Sequence, residues 1–131
     1  MAGIFQISEA TSLAFHSTAL MLRKGEILSV KEIADEFHAS EAHLSKVLQR
    51  LVKADIVHSV RGPKGGFFLK REDITLLEIY EAMEGPLTVK ACLMGRKACL
   101  FKKCLFDGLL DVAAQKFKDY MDNHNISDLI N

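Results

Sequence analysis

Apolar residues recur along this chain at helical spacing, give way to a short stretch of strand formers, and then return to helical spacing. The clearest run is Leu44, Val47, Leu48 and Leu51, at i, i+3, i+4 and i+7. That spacing places one buried stripe on a helix. Ser40 stands ahead of it as an N-cap, and Glu41, Ala42, Ser45, Lys46, Gln49 and Arg50 fall on the opposite, polar face. Upstream, Ser8 caps a helix running to about Lys24, with Gly25 at its end. Leu13, Leu20 and Met21, with Ala10, Ala14 and Ser17, give this helix an apolar face lined by small residues. Ser29 and Glu32 have the spacing of a capping box for a short helix carrying Ile33, Ala34 and Phe37 on one side. His38-Ala39 makes the turn between that helix and the one capped by Ser40.

After Leu51 the pattern changes. Ile56 to Val60 and Phe67 to Leu69 are rich in strand formers. Between them, Arg61-Gly62-Pro63-Lys64-Gly65-Gly66 forms the tip of a hairpin. Its glycines permit turn dihedrals and Pro63 stiffens the bend. Thr75 and Glu78 have the spacing of a second capping box, and Gly85-Pro86 stops the helix they begin. Ile74, Leu77 and Met83 are expected in the core. Periodicity then fails until Leu105, from which a long helix is predicted to about His124. Phe106, Leu110, Ala113, Phe117 and Tyr120 form its seam, and Leu109, Val112, Lys116 and Met121 widen it. A winged domain of this size leaves such a stripe uncovered, so an isologous dimer is expected. The alternative is a helix folded back on its own domain. The fold class is thus mainly α with a small β-hairpin. It comprises a winged helix-turn-helix domain (1–85), a cysteine-containing loop (86–104), and a dimerisation helix with its tail (105–131).

Composition changes this picture little, but charge placement changes it more. With 131 residues and 49% apolar content, a packed core is expected. No run is long and apolar enough to cross a membrane, and the start MAGIFQISEATSLAF lacks the features of a secretory signal, so a cytoplasmic location is expected. The net charge is zero, yet between His43 and Arg71 seven basic residues stand against the single acid Asp55. A local cluster of this kind, and not the sum, sets the field felt by a phosphate backbone. Two short helices followed by a basic hairpin suit a winged helix-turn-helix, whose second helix enters the major groove of duplex DNA. Ser40, Glu41, His43, Ser45, Lys46 and Arg50 are the candidate base and phosphate contacts on the helix. Arg61, Gly62, Pro63, Lys64 and Gly65 are the candidates on the wing, with Arg61 suited to a minor groove. A dimer would read a pseudo-palindromic operator.

The three cysteines, Cys92, Cys99 and Cys104, are spaced C-x6-C-x4-C within a stretch holding five basic residues and no acid. Thiolates are soft ligands that suit iron–sulfur clusters and zinc, although structural zinc sites favour closer pairs. Nearby cations lower thiol pKa, so cluster-free thiol sensing is a third reading. No Gly-rich phosphate loop or C-x-x-C pair is present, and no histidine lies near a cysteine, which argues against an enzyme.

Three segments carry a family resemblance: Ser29 to Ala34, Leu44 to Leu48, and Ser59 to Phe67 (SVRGPKGGF). With the three-cysteine loop and long helix, they resemble the Rrf family of winged-helix regulators, which includes IscR and NsrR. The resemblance implies a homodimeric repressor or other transcription regulator with an iron–sulfur cluster, two-iron or four-iron, on Cys92, Cys99 and Cys104. That cluster would sense redox, iron or nitric oxide status. Some members lack a cluster and answer to thiol redox, a small molecule or a partner protein. The cysteine gaps here are six and four, where the family usually has five and five. By resemblance, the fourth ligand is Glu9, beside Ser8 and supplied by the other subunit, or Asp107, three residues after the last cysteine. Each acid is equally explained by the dipole at a helix N-terminus.

Overall fold

The helices begin where side chains can take up the first orphaned amides. In this computed structural model, which describes residues 6–87 and 100–130, Ser8 accepts from the Thr11 amide at the head of α1 (Glu9–Lys24). Gly25, in the left-handed region at φ 64, closes that helix with its N–H on the Met21 carbonyl. Ser29 caps α2 (Val30–Phe37) and Ser40 caps α3 (Glu41–Lys53) in the same way. The box at Ser29 is only half formed. Its oxygen accepts from the Glu32 amide, but the Glu32 carboxylate accepts a hydrogen bond from the Ser29 hydroxyl and not from the Ser29 backbone N–H. At α4 (Leu76–Glu84) both halves are present, with Thr75 and Glu78 exchanging bonds of 3.1 and 2.8 Å.

One core joins these elements. Ile33, Leu44, Leu48, Leu51, Ile74 and Ile79 have no exposed surface, so the stripe expected on α3 is the centre of the domain. α1 adds Leu13, Ala14 and Met21, together with the buried Thr11, Ser17 and Thr18. Thr18 satisfies its hydroxyl on the Ala14 carbonyl at 2.9 Å. The small residues let α1 lie close to α3 and α4. Strands β1 (Val57–Val60) and β2 (Gly66–Leu69) pair antiparallel, with Val57 opposite Leu69 and Val60 opposite Gly66. Val57 and Phe67 pin the hairpin to the core. Leu28, just before α2, adds a third partner, because Leu28 and Phe67 exchange two backbone hydrogen bonds of 2.8 and 3.0 Å.

The C-terminal helix departs from the expectation in start and in packing. α5 spans Leu109–Asp122, not Leu105 to His124. Asp107 and Gly108 both take left-handed backbone (φ 51 and 81), which no continuous right-handed helix can include. Phe106 therefore lies outside the helical seam. Leu110, Ala114 and Met121 are buried, and Met121 and Phe117 pack with Leu77, Tyr80 and Leu87. One face of the helix thus folds back on its own domain. Leu109, Val112 and Tyr120 remain exposed on the rest of it. The chain then returns. Ile126, at the start of α6 (Ile126–Leu129), enters the main core, and its amide donates to the Ile74 carbonyl at 2.9 Å.

Candidate nucleic-acid interface and cysteine segment

The turn between α2 and α3 is set by His38, whose left-handed backbone (φ 53) closes α2 on the Ala34 carbonyl. Burying Leu44, Val47, Leu48 and Leu51 leaves Glu41, Ala42, Lys46, Gln49, Arg50 and Lys53 exposed, with Ser45 half-buried beside them. The wing tip is a β-turn. The Gly65 amide donates to the Gly62 carbonyl at 2.9 Å, which places Pro63 and Lys64 at its corners. Proline's fixed φ suits the first corner, and glycine commonly follows the second. Gly65 also has a steric reason: a Cβ there would stand 2.2 Å from the Val60 carbonyl oxygen. Arg61, Gly62, Pro63 and Lys64 are consequently exposed at the tip.

Helix and wing form one surface. A cleft between the start of α2, the wing and α3 includes Ser29, Arg61, Gly65 and Gln49. A neighbouring groove along α3 is lined by Ala42, Ser45, Lys46, Gln49, Arg50 and Lys53. Gln49 borders both and so joins them. Gln49 and Lys53 were not among the expected contacts. The signal was present as their i+3 and i+7 spacing from Lys46, and an exposed glutamine amide can read adenine in the major groove.

The basic cluster is smaller than its residue count. Lys70 pairs with Asp55, and Arg71 pairs with Asp73 and Glu78. Arg50 gives one N–H to the Met83 carbonyl at 3.2 Å. Among the described residues no ion pair involves Lys46, Lys53, Arg61 or Lys64, and these four are exposed. The pairs show in the titration of their acids. The Lys70 ammonium holds the Asp55 carboxyl below its ordinary range. Glu78 would be raised by its partial burial, but donors from Arg71 and Thr75 outweigh this and hold it low. A carboxylate with a depressed pKa stabilises the fold above its unfolded pKa and loses that contribution as pH falls through the folded value. Replacing Glu78 with glutamine keeps a capping-box acceptor but removes the ion pair. We expect a deficit of under about 1 kcal/mol near pH 7, given the exposure of the pair. Thermal melts should show it shrinking below about pH 4. A deficit that persisted unchanged at pH 3 would remove the ion pair as its cause.

Other expected contacts fall in mixed surroundings. The Ser40 hydroxyl oxygen is engaged as the α3 cap, at 3.0 Å from the His43 amide. His43 is half-buried, and its Nε2 is buried with no hydrogen-bond partner among the described residues. Its ring tip is therefore turned from solvent, unlike Lys46 one turn along.

Of the cysteines, Cys104 is exposed, whereas Cys92 and Cys99 lie outside the described residues. Cys104 begins a tight turn, its carbonyl accepting the Asp107 amide at 2.9 Å. The Asp107 carboxylate pairs with Lys103 at 3.1 Å. Glu9 is exposed in the first turn of α1. Among the described residues no three His, Cys, Asp or Glu side chains are grouped to hold a metal. The donor chemistry nonetheless suits an iron–sulfur group: Cys104 is exposed, a soft thiol donor preceded in the chain by cationic Lys102 and Lys103 and followed by apolar Leu105.

Comparison with known proteins agrees with the fold. The model of the Rrf2 family, described as an iron-dependent transcriptional regulator, matches residues 7–131. The HTH-type transcriptional regulator NsrR of Bacillus subtilis is 30% identical over 112 residues, spanning 82% of this chain and 77% of that protein. NsrR of Bacillus licheniformis is 30% identical over 109 residues, spanning 80% and 76%. Among solved structures, CymR of B. subtilis, described as its global cysteine regulator, superposes with a TM-score of 0.77 at 24% identity and covers 96% of each chain. IscR of T. potens gives a TM-score of 0.71 at 24% identity, over 96% of this chain and 86% of that one. These two superpositions speak for the fold alone.

Proposed function

The chain belongs to the Rrf2 family of transcriptional regulators, and from that premise we propose that it grips duplex DNA with α3 and the wing and adjusts the grip through its cysteine segment. It is a regulator and not an enzyme. The observation that carries the reading is the exposed surface on which Lys46, Gln49 and Lys53 of α3 adjoin Arg61 of the wing, with Lys64 exposed at the wing tip. An exposed polar helix face of this kind suits the major groove, with the wing tip free to meet the adjacent backbone. Residues 1–85 act as the DNA-binding unit, 86–104 as the sensing segment, and the helix after 105 as the dimer contact. Exposed Leu109, Val112 and Tyr120 on α5, with Leu105 and Phe106 ahead of it, supply apolar surface for a second copy. Two copies would read a pseudo-palindromic operator.

Cys92, Cys99 and Cys104 would hold an iron–sulfur cluster, with Glu9 of the partner subunit or Asp107 of the same chain as the fourth donor. Bound there, the cluster supplies iron that responds to redox state, iron supply or nitric oxide. The remaining work falls to the chain's own groups. The five basic residues of the segment offset the charge of the thiolates. Lys103 competes for Asp107, so a ligand role for that carboxylate requires breaking a 3.1 Å ion pair.

The test uses protein purified without oxygen and a duplex selected by binding from a random-sequence pool. Iron, sulfide and a visible absorption band should be found, and Cys104→Ser should lose all three. Affinity for the selected duplex should differ about tenfold between iron-loaded and iron-stripped protein at matched salt, within the usual range of coupling. Equal affinities would end the sensing claim. Colourless protein without sulfide would point instead to a cluster-free regulator answering to thiol redox, a small molecule or a partner protein.

A further inference from the structure

The last turn of α4 is where several parts of the chain meet. A helix C-terminus leaves its final carbonyls without intrahelical partners and carries the negative end of the dipole. Here one of those carbonyls, that of Met83, accepts an N–H from Arg50, 33 residues away on α3. The same turn holds the chain on either side. The Glu81 carboxylate accepts the Leu87 amide at 3.1 Å, on the segment that continues to Cys92. The Glu84 carboxylate accepts the Ser8 amide at 3.0 Å, and the Tyr80 hydroxyl accepts the Gln6 amide at 3.0 Å. Tyr80 also meets the ring of Phe117 on α5 edge-on. Among the described residues no other side chain on the polar face of α3 hydrogen-bonds to α4, so Arg50 is its hydrogen-bonded link to this junction.

We infer that Arg50 is a positioning residue and not a phosphate ligand. It sets the orientation of α3 against the end of α4 and passes to the recognition helix any shift of the segment that begins at Leu87. One feature separates it from its neighbours on the same groove. Lys46, Arg50 and Lys53 are all exposed and without an ion pair among the described residues, but Arg50 is already engaged by a carbonyl that has no alternative helical donor. Arginine suits this task, because its stem packs along the helix while its planar head reaches across. The inference rests on the DNA-binding reading above.

The experiment compares wild type with Arg50→Met and Arg50→Gln, both of which remove the charge; glutamine keeps a neutral N–H donor. The probes are the selected duplex and a scrambled duplex of equal length, titrated over a range of salt. For Arg50→Met, affinity for the selected duplex should fall about fivefold, the effect of one lost hydrogen bond. Affinity for the scrambled duplex and the salt slope should both stay at wild-type values. Arg50→Gln should lie between wild type and Arg50→Met on the selected duplex, again with an unchanged slope, and it serves if Arg50→Met does not fold. The ratio of affinities between iron-loaded and iron-stripped protein should shrink in Arg50→Met. A slope lower by about one in both variants, with equal losses on both duplexes, would make Arg50 a phosphate ligand and overturn the inference. A lowered melting temperature with unchanged affinities would make the tie purely structural and overturn it too. If wild type binds neither duplex, the DNA-binding reading itself fails. If it binds without any iron dependence, only the transmission to the cysteine segment falls.

Discussion

Alanine at position 66 is expected to lower the melting temperature by about 10 °C and to weaken operator binding, because it strikes the joint that holds the wing. A Cβ on Gly66 would stand 2.3 Å from the Leu28 carbonyl oxygen and 2.6 Å from its carbon. Both are backbone atoms, so no side-chain rotation relieves the clash. Leu28 is 1% exposed and bound to Phe67 by two backbone hydrogen bonds. Making room means pushing these strands apart, losing the pair of bonds and uncovering Phe67. A backbone clash of this kind belongs with the large destabilisations, about 3 kcal/mol, and at this chain length that corresponds to the shift given above. Gly62 is the control. Its Cβ would meet nothing within 4 Å, and only its φ of 112 penalises alanine. Gly62→Ala should therefore lower stability by about 1 kcal/mol, the scale of backbone strain at one residue. Thermal melts of the two variants decide the matter. A Gly66→Ala melt within two or three degrees of wild type would mean that the Leu28 contact is not what fixes the wing.

Replacing Arg61 and Lys64 together with alanine should reduce affinity for the selected duplex about 10- to 100-fold near physiological salt. The mechanism is counterion release: each lost phosphate contact removes about 0.9 from the slope of log affinity against log salt. The double variant should thus lose about two units of slope. Both side chains are exposed at the tip and neither is ion-paired among the described residues, so the melt should not move. Lys70→Ala provides the contrast. Its ammonium already pairs with Asp55, and its removal should leave the slope nearly unchanged. Two units lost from the wing and almost none from Lys70 is the expected pattern. Equal slope changes at the two places would mean that the field of the whole hairpin, and not the tip, meets the DNA.

These two expectations separate what neighbours along the chain decide from what the fold decides. The α3 stripe, the caps at Ser8, Ser40 and Thr75, the stop at Gly85 and the hairpin tip were legible because each depends on residues within about one turn of one another. Winged-helix architecture followed, since those elements in that order pack in few ways. Cys104 was legible as a thiol, and Cys92 and Cys99, expected to act with it, fall outside the described residues.

The charge balance was not legible in the same way. Seven basic residues read as one cluster. Lys70 is paired 15 residues back with Asp55, and Arg71 with Glu78 seven residues ahead. Arg50, read as a DNA contact, reaches a carbonyl 33 residues on. What covers the seam of α5 was not legible for a related reason. Periodicity shows that a face is apolar but not what covers it, and here Tyr80, Leu77 and Leu87 cover part of what was assigned to a twin.

By itself, then, the sequence determined the first four helices, their caps, the basic hairpin and the family, because backbone propensity and side-chain spacing act locally. Tertiary structure alone decided which cations are left to face a phosphate backbone, why Gly66 admits no side chain beside Leu28, and how the end of α4 comes to hold α3. Each of these is set by through-space packing between residues far apart in the chain, and no local pattern encodes which of them will meet.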